Sequence, residues 1–147
     1  MFESGKGVAQ DYAEAVRLYS LAAAQGHANA QNNLGVMFEN GRGVAQDYAE
    51  AVRLYSLAAA QGHADAQYNL GDMFECGQGV AQDYAEAVRL YSLAAAQGDA
   101  SAQDNLGVMF SKGRGVAQNR AEAIRWFRLA AAQGQADATA ELRRLRA

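Results

Sequence analysis

The chain has 147 residues, half of them hydrophobic, with a net charge of −3, one cysteine and no proline. That size suits one core or one repeat array, and the lone Cys76 excludes an intrachain disulfide framework. Charges of both signs are interspersed, which excludes a general nucleic-acid or anionic-membrane surface; no run reaches the ~18 apolar residues of a membrane span, and the chain reads as soluble, with a cytoplasmic home favoured.

Taken from the amino terminus, Met1, Phe2, Glu3 and Ser4 match only the end of a helix type that returns whole further on. A second helix type starts near Asp11 and stops before Gly26. The first type then runs in full from about Ala28 to Asn40, with Leu34, Met37 and Phe38 as its apolar face. Gly41 and Gly43 break the chain. Asp47 follows as an N-cap, with Glu50 three residues on completing a capping box, and the next helix runs to about Gln61. Gly62 stops it, as expected for a C-terminal glycine that must take positive φ.

This pair of helices recurs. Gly26, Gly62, Gly98 and Gly134 stand 36 positions apart, and Val8 to Ala28 is identical to Val44 to Ala64. The whole chain, 1–147, is therefore one array: a helix remnant at 1–4, then units at about 5–40, 41–76, 77–112 and 113–147. The last ends in a capping helix where Arg143 replaces a close-packing glycine and Arg144 and Arg146 follow. A hairpin is too small to fold alone, so units stack and share a core, and the expected fold is all-α, a right-handed α/α solenoid of antiparallel hairpins. Ala30, Gly35, Ala51, Ala58 and Ala59 mark close backbone approach, with Tyr55, Leu34 and Phe38 filling the spaces between. Leu21, Leu57, Leu93 and Leu129 lie at the border of the buried face; core packing is preferred over a lateral contact strip on the outer side.

One unit shows Ala64, Ala66, Leu70, Gly71, Met73, Phe74, Gly77, Gly79, Val80, Asp83, Tyr84, Ala87, Tyr91, Ala94, Ala95, Gln97 and Gly98. This pattern, repeated over essentially the whole chain, resembles the Sel-1-like repeats, relatives of the tetratricopeptide repeats. The resemblance implies a curved superhelix with the first helix of each hairpin on the concave side, and a role as an adaptor that assembles other proteins. Where that family often has proline after the Gly-x-Gly-Val turn, this chain has Ala9, Ala45, Ala81 and Ala117.

The copies differ in few places. Between units 5–40 and 41–76 the changes are Lys6/Arg42, Asn29/Asp65, Asn32/Tyr68, Val36/Asp72 and Asn40/Cys76. Four fall on the first helix, and at about 100° per residue they span only about 80°, a single stripe. The next copy carries Ser101, Asp104, Val108 and Lys112 there, with Asn33, Asn69 and Asn105 beside it. Free drift of exposed positions would also produce variation, yet Ala49, Arg53, Ser56 and Ala60 of the second helix do not vary among the first three copies. The stripe therefore reads as a partner-binding groove. Asp65, Asp72, Glu75, Glu39 and Asp104 make it acidic, Tyr68 offers a central aromatic anchor, and the asparagines can bond an extended backbone, so a protein or peptide segment of basic or polar character is the expected ligand. The alternative is a structural or engineered consensus-like repeat with no evolved ligand, possibly self-associating; the uncovered amino-terminal edge offers a place for a homodimer.

Catalytic and cofactor chemistry finds no footing. His27 and His63 occupy helix-start positions without further ligands for a metal. Cys76 has no histidine at a spacing that would make it a nucleophile. Gly5-Lys6-Gly7 and Gly41-Arg42-Gly43 lack phosphate-loop spacing, and the S-x-x-K signature of penicillin-binding chemistry is missing. The expectation is a non-enzyme with no cofactor, metal, nucleic acid or membrane among its partners.

Overall fold

The computed structural model describes residues 5–146. Among them eight helices follow in order: α1 Gly5–Ala24, α2 Ala28–Asn40, α3 Tyr48–Ala60, α4 Ala64–Cys76, α5 Tyr84–Ala96, α6 Ala100–Lys112, α7 Arg120–Ala132 and α8 Ala136–Arg146. Close backbone packing runs between helices adjacent in sequence, so the array grows as a stack of hairpins, a solenoid. The helix remnant expected at Met1 to Ser4 lies outside the described residues.

The turns explain why each helix begins and ends where it does. Asp47, Asp83 and Asn119 each accept a hydrogen bond from the backbone N–H three residues on, at 3.1, 3.0 and 3.1 Å. The capping box is only half formed. Glu50 turns its carboxylate to Arg53 at 2.5 Å, because the Asp47 N–H it would have received is already donated to the Phe38 carbonyl at 2.9 Å. Gln46 donates to the Glu39 carbonyl at 2.8 Å beside it, which pins the turn to the first helix. The equivalents of Phe38 and Glu39 for the first copy are Phe2 and Glu3, outside the described residues, and there the nearly identical sequence Gly5 to Asp11, with Lys6 for Arg42, is helical rather than a turn; α1 thus starts six residues before the expected Asp11.

Stacking rests on three repeated contacts. Gly35, Gly71 and Gly107 lie against the rings of Tyr55, Tyr91 and Phe127, so closely that an added Cβ would sit 2.7, 2.8 and 2.7 Å from the ring. Those rings are fully buried and form the centre of each unit's core. Gly43 and Gly79 bring the turn onto the preceding second helix, where a Cβ would fall 2.6 Å from the carbonyl oxygens of Tyr12 and Tyr48, and their φ of 75° and 73° independently favours glycine. The third contact is a ladder of buried glutamines. Gln31, Gln67 and Gln103 each donate to a carbonyl of the preceding second helix at 3.3 Å. Each also accepts from Gln61, Gln97 or Gln133 of the following one, at 2.8, 2.8 and 2.9 Å. A buried amide with both ends matched fixes the register of three helices.

The leucines at the border of the second helices are not core. Leu21 is 55% exposed, and Leu57, Leu93 and Leu129 are each 43% exposed. Close backbone packing joins each second helix to its neighbouring first helices rather than to the next second helix, and these leucines stay exposed at its outer edge.

Because the Gly71 contact is with an immobile ring rather than a flexible chain end, Gly71→Ala is expected to cost about 1–3 kcal/mol, read as a lower urea midpoint.

Candidate functional site

The variable stripe lies along α2, α4 and α6, and the structure divides it into an outer row and a seam. Asn29, Asn33, Asn40, Asp65, Cys76 and Lys112 are exposed. The middle position behaves differently. Asn32 is 6% exposed and its Oδ1 accepts from Asn69 Nδ2 of the next first helix at 3.0 Å. One repeat on, Tyr68 and Asn105 are the matching pair, and after them Asp104 and Glu141. Position 32 thus faces the neighbouring hairpin, not an open groove, and sequence periodicity could not distinguish the two because both lie on one side of the helix.

Each rung of this seam has its own chemistry. Asn32 with Asn69 is neutral and satisfied. Tyr68 is half-buried, its ring centre 5.8 Å from that of Tyr91 with the planes tilted by 38°, so it is an inter-repeat packing group rather than a free platform. Burial pushes its hydroxyl pKa up, with Asp72 adding to the effect. Asp104 faces an acid. Burial raises its pKa first, then the nearby charges of Asp137 and Glu141, and its Oδ1 is buried without a hydrogen-bond partner.

A depression of about 160 Å³ opens beside the second rung, lined by Asp72, Glu75, Cys76, Asn105 and Val108. It unites five residues from two consecutive first helices, four of them assigned to the stripe from sequence. The buried Tyr91 hydroxyl ends at its wall, 2.7 Å from Glu75 Oε1 and 3.1 Å from Asp72 Oδ1. Tyr55 makes the corresponding bond to Glu39 Oε1 at 2.6 Å. Burial raises the Asp72 pKa, the Tyr91 bond opposes it, and Glu75 and Glu39 add to the rise. The Cys76 thiol is pushed up as well, by burial and then by Asp72, Glu75 and Glu39. That field holds the sulfur protonated, the reverse of what a nucleophile needs.

The remaining assigned residues are structural at least in part. Val36 and Val108 are half-buried against neighbouring cores, and Asn40 Nδ2 donates to its own helix at Val36 O, 3.0 Å. Ser101 Oγ accepts from Gln135 at 3.1 Å and Asn29 Oδ1 from His63 Nε2 at 2.6 Å, equivalent bridges between consecutive first helices. His63 also caps α4, its Nδ1 accepting from Ala66 N–H at 3.1 Å, whereas His27 makes no side-chain cap bond. The tyrosine hydroxyls at the site wall were not assigned from sequence; the signal was available in that Tyr55 and Tyr91 become Phe127 in the copy where the acids become Val108 and Ser111.

The charge pattern separates the two helix types. On the second helices Glu14, Glu50, Glu86 and Glu122 are each answered by an arginine three residues on. Among the described residues, Asp65, Asp72, Glu75 and Asp104 of the first helices have no cationic side chain within ion-pair distance. Nor do the described residues contain a cluster able to hold a metal ion or a helix long and apolar enough to cross a membrane.

Residues 1–27, 28–63, 64–99 and 100–135 each match the Sel1 repeat. Among solved structures, a protective antigen present in uropathogenic Escherichia coli strains, displaying an SLR fold, shares 41% identity over 84% of the chain, with a TM-score of 0.81. A Sel1 repeat protein from Oxalobacter formigenes shares 35% identity over 86%, also at 0.81. Helicobacter pylori cysteine rich protein B shares 25% identity over 95% of this chain and is itself covered completely, at 0.72. The chain spans 26% and 52% of the length of the first two. No curated protein sequence matches it.

Asp104 binds its proton more tightly folded than unfolded, so the folded state loses stability as pH rises from 3.8 through the raised value. Asp104→Asn removes that penalty: its thermal midpoint is expected above wild type near pH 7 and equal to it at about pH 3, where the aspartate is itself neutral.

Proposed function

The chain belongs to the Sel1 repeat family, whose members generally mediate protein–protein interactions without catalysis, and from that premise we propose that it holds a basic or polar peptide segment along its first-helix stripe. The observation that carries the reading is the uncompensated charge of α4 and α6. A fold that neutralises its second-helix glutamates one by one leaves Asp65, Asp72, Glu75 and Asp104 for a cation from outside. The depression between Asp72 and Asn105 gives that cation a place to enter. A lysine or arginine there meets Asp72 and Glu75 together, and its charge opposes the rise in the Asp72 pKa that burial causes and the neighbouring acids add to. Asn33, Asn69 and Asn105 stand beside the stripe, and the exposed Asn33 has amide groups free to face an extended backbone. Tyr68 serves this surface from within, supporting the wall through Tyr91 rather than acting as the anchor. Proteins are the partner class, and no cofactor enters the reading.

Peptide-display panning is expected to enrich lysine- and arginine-containing sequences whose binding weakens with added salt. The variant Asp65→Asn/Asp72→Asn/Asp104→Asn, which leaves Tyr68 and the core in place, is expected to lose at least about tenfold in affinity for them. Failure to enrich basic peptides, or undiminished binding by the folded triple variant, refutes the reading.

A further inference from the structure

The opposite face, built by the second helices, carries a feature the first-helix stripe does not use. Between α1 and α3, and again between α3 and α5, open two depressions of about 500 and 570 Å³. They are lined by the same residues one repeat apart: in the second, Leu70 and Phe74 of α4 form the floor, Ala59 and Leu93 the sides, and Arg89 the rim. The third member of the series, between α5 and α7, has the same residue at every one of these positions but one. Trp126 stands where the others have Leu54 and Leu90.

The indole occupies that third groove. It packs against the cluster that contains Ala95 and Leu106, the copies of Ala59 and Leu70. Ala95 falls to 3% exposure where Ala59 is half-buried, and Ser92 is half-buried where Ser56 is exposed. The guanidinium of Arg125 lies over the ring, 4.3 Å from its centre. In the open grooves Arg53 and Arg89 hold the same position, each steadied by the glutamate three residues before it, with no ring beneath.

We propose that the two open grooves are seats for aromatic side chains presented by a protein partner. The molecule supplies its own template, since an otherwise identical groove in the same chain is filled by an indole. Electrostatics point the same way. A guanidinium over the mouth complements the negative face of an aromatic ring, while its pairing with Glu50 or Glu86 leaves the rim neutral and offers nothing to a charged side chain. Exposed Leu57 and Leu93 flank the entrances and would be covered by the segment that delivers the rings. This surface is separate from the first-helix stripe and stands or falls without it.

The test is a titration with N-acetyl-tryptophanamide followed by methyl NMR, with N-acetyl-leucinamide alongside. Saturable shifts are expected at Ala23, Leu57, Ala59 and Leu93, with the tryptophan compound binding roughly three- to fivefold tighter than the leucine compound. Leu90→Trp, filling one groove from within, should abolish the shifts at Ala59 and Leu93 and leave those at Ala23. Trp126→Leu should do the opposite and add a responsive site at Ala95 and Leu129, which keeps the test open should the first variant not fold. Absence of shifts at both grooves, equal binding of the two compounds, or an unchanged pattern in the folded variants overturns the proposal.

Discussion

A glycine seated on an aromatic ring is the contact on which the rest of this molecule depends. At Gly35, Gly71 and Gly107 the first helix comes so near the ring of its partner helix that no Cβ fits. That approach buries Tyr55, Tyr91 and Phe127 completely. It also decides where their far ends emerge. A tyrosine ring held close against a helix backbone carries its hydroxyl past the contact, and for Tyr91 it arrives within reach of Asp72 and Glu75. The binding surface is thus coupled to the core through one side chain. The copies respect the coupling: Tyr91 has two acid acceptors, Tyr55 has Glu39 alone, and Phe127, which has nothing to donate, faces Val108 and Ser111. A buried hydroxyl without an acceptor would cost about 1–3 kcal/mol, so ring and stripe are constrained to change together.

The repeat, the helix bounds, the caps and the close-packing glycines were legible in the sequence because each is a local or periodic signal. Asp47 is an N-cap by residue type, and Gly62 a helix stop by the φ of 87° it must adopt. What was not legible depends on the third dimension between repeats. Asn32 shares a helical side with Asn29 and Asn40, yet the next first helix covers it and leaves them exposed. Leu57 and Leu93 sit at the border of the apolar arc, and only the distance between successive second helices decides that they face outward. The glutamine ladder escaped notice for another reason: Gln31, Gln67 and Gln103 are identical in the three units whose comparison revealed the stripe, so that comparison was blind to them. The early start of α1 shows the converse limit, since Gly5 to Asp11 and Gly41 to Asp47 are nearly the same heptapeptide in two conformations.

The two faces divide the electrostatic work. On the second helices each glutamate stands three residues before an arginine, and these pairs are exposed, so they add little stability but leave the surface neutral. On α4 and α6 the acids lack such partners, and burial first, with neighbouring acids adding to it, raises the pKa values of Asp72 and Asp104 above the ordinary carboxylate range. A neutral surface is suited to apolar contact and an unneutralised one to cations. The first property follows from a glutamate–arginine pair copied in every second helix, the second from acids that differ between copies.

Copying also explains how so uniform a chain acquires distinct sites. Because every unit places its side chains in the same frame, one substitution changes one site and leaves its equivalents as internal controls. Val36 to Asp72 adds a carboxylate to the wall beneath Tyr91 while Val36 itself remains an apolar contact one repeat away. Leu90 to Trp126 fills a groove whose twin stays open. The stack tolerates both, since neither residue belongs to the glycine–ring contact or the glutamine ladder that sets the spacing. Specificity in this molecule therefore resides in positions that the stacking contacts leave alone, while glycine, aromatic ring and glutamine recur at the stacking positions of α2 to α7.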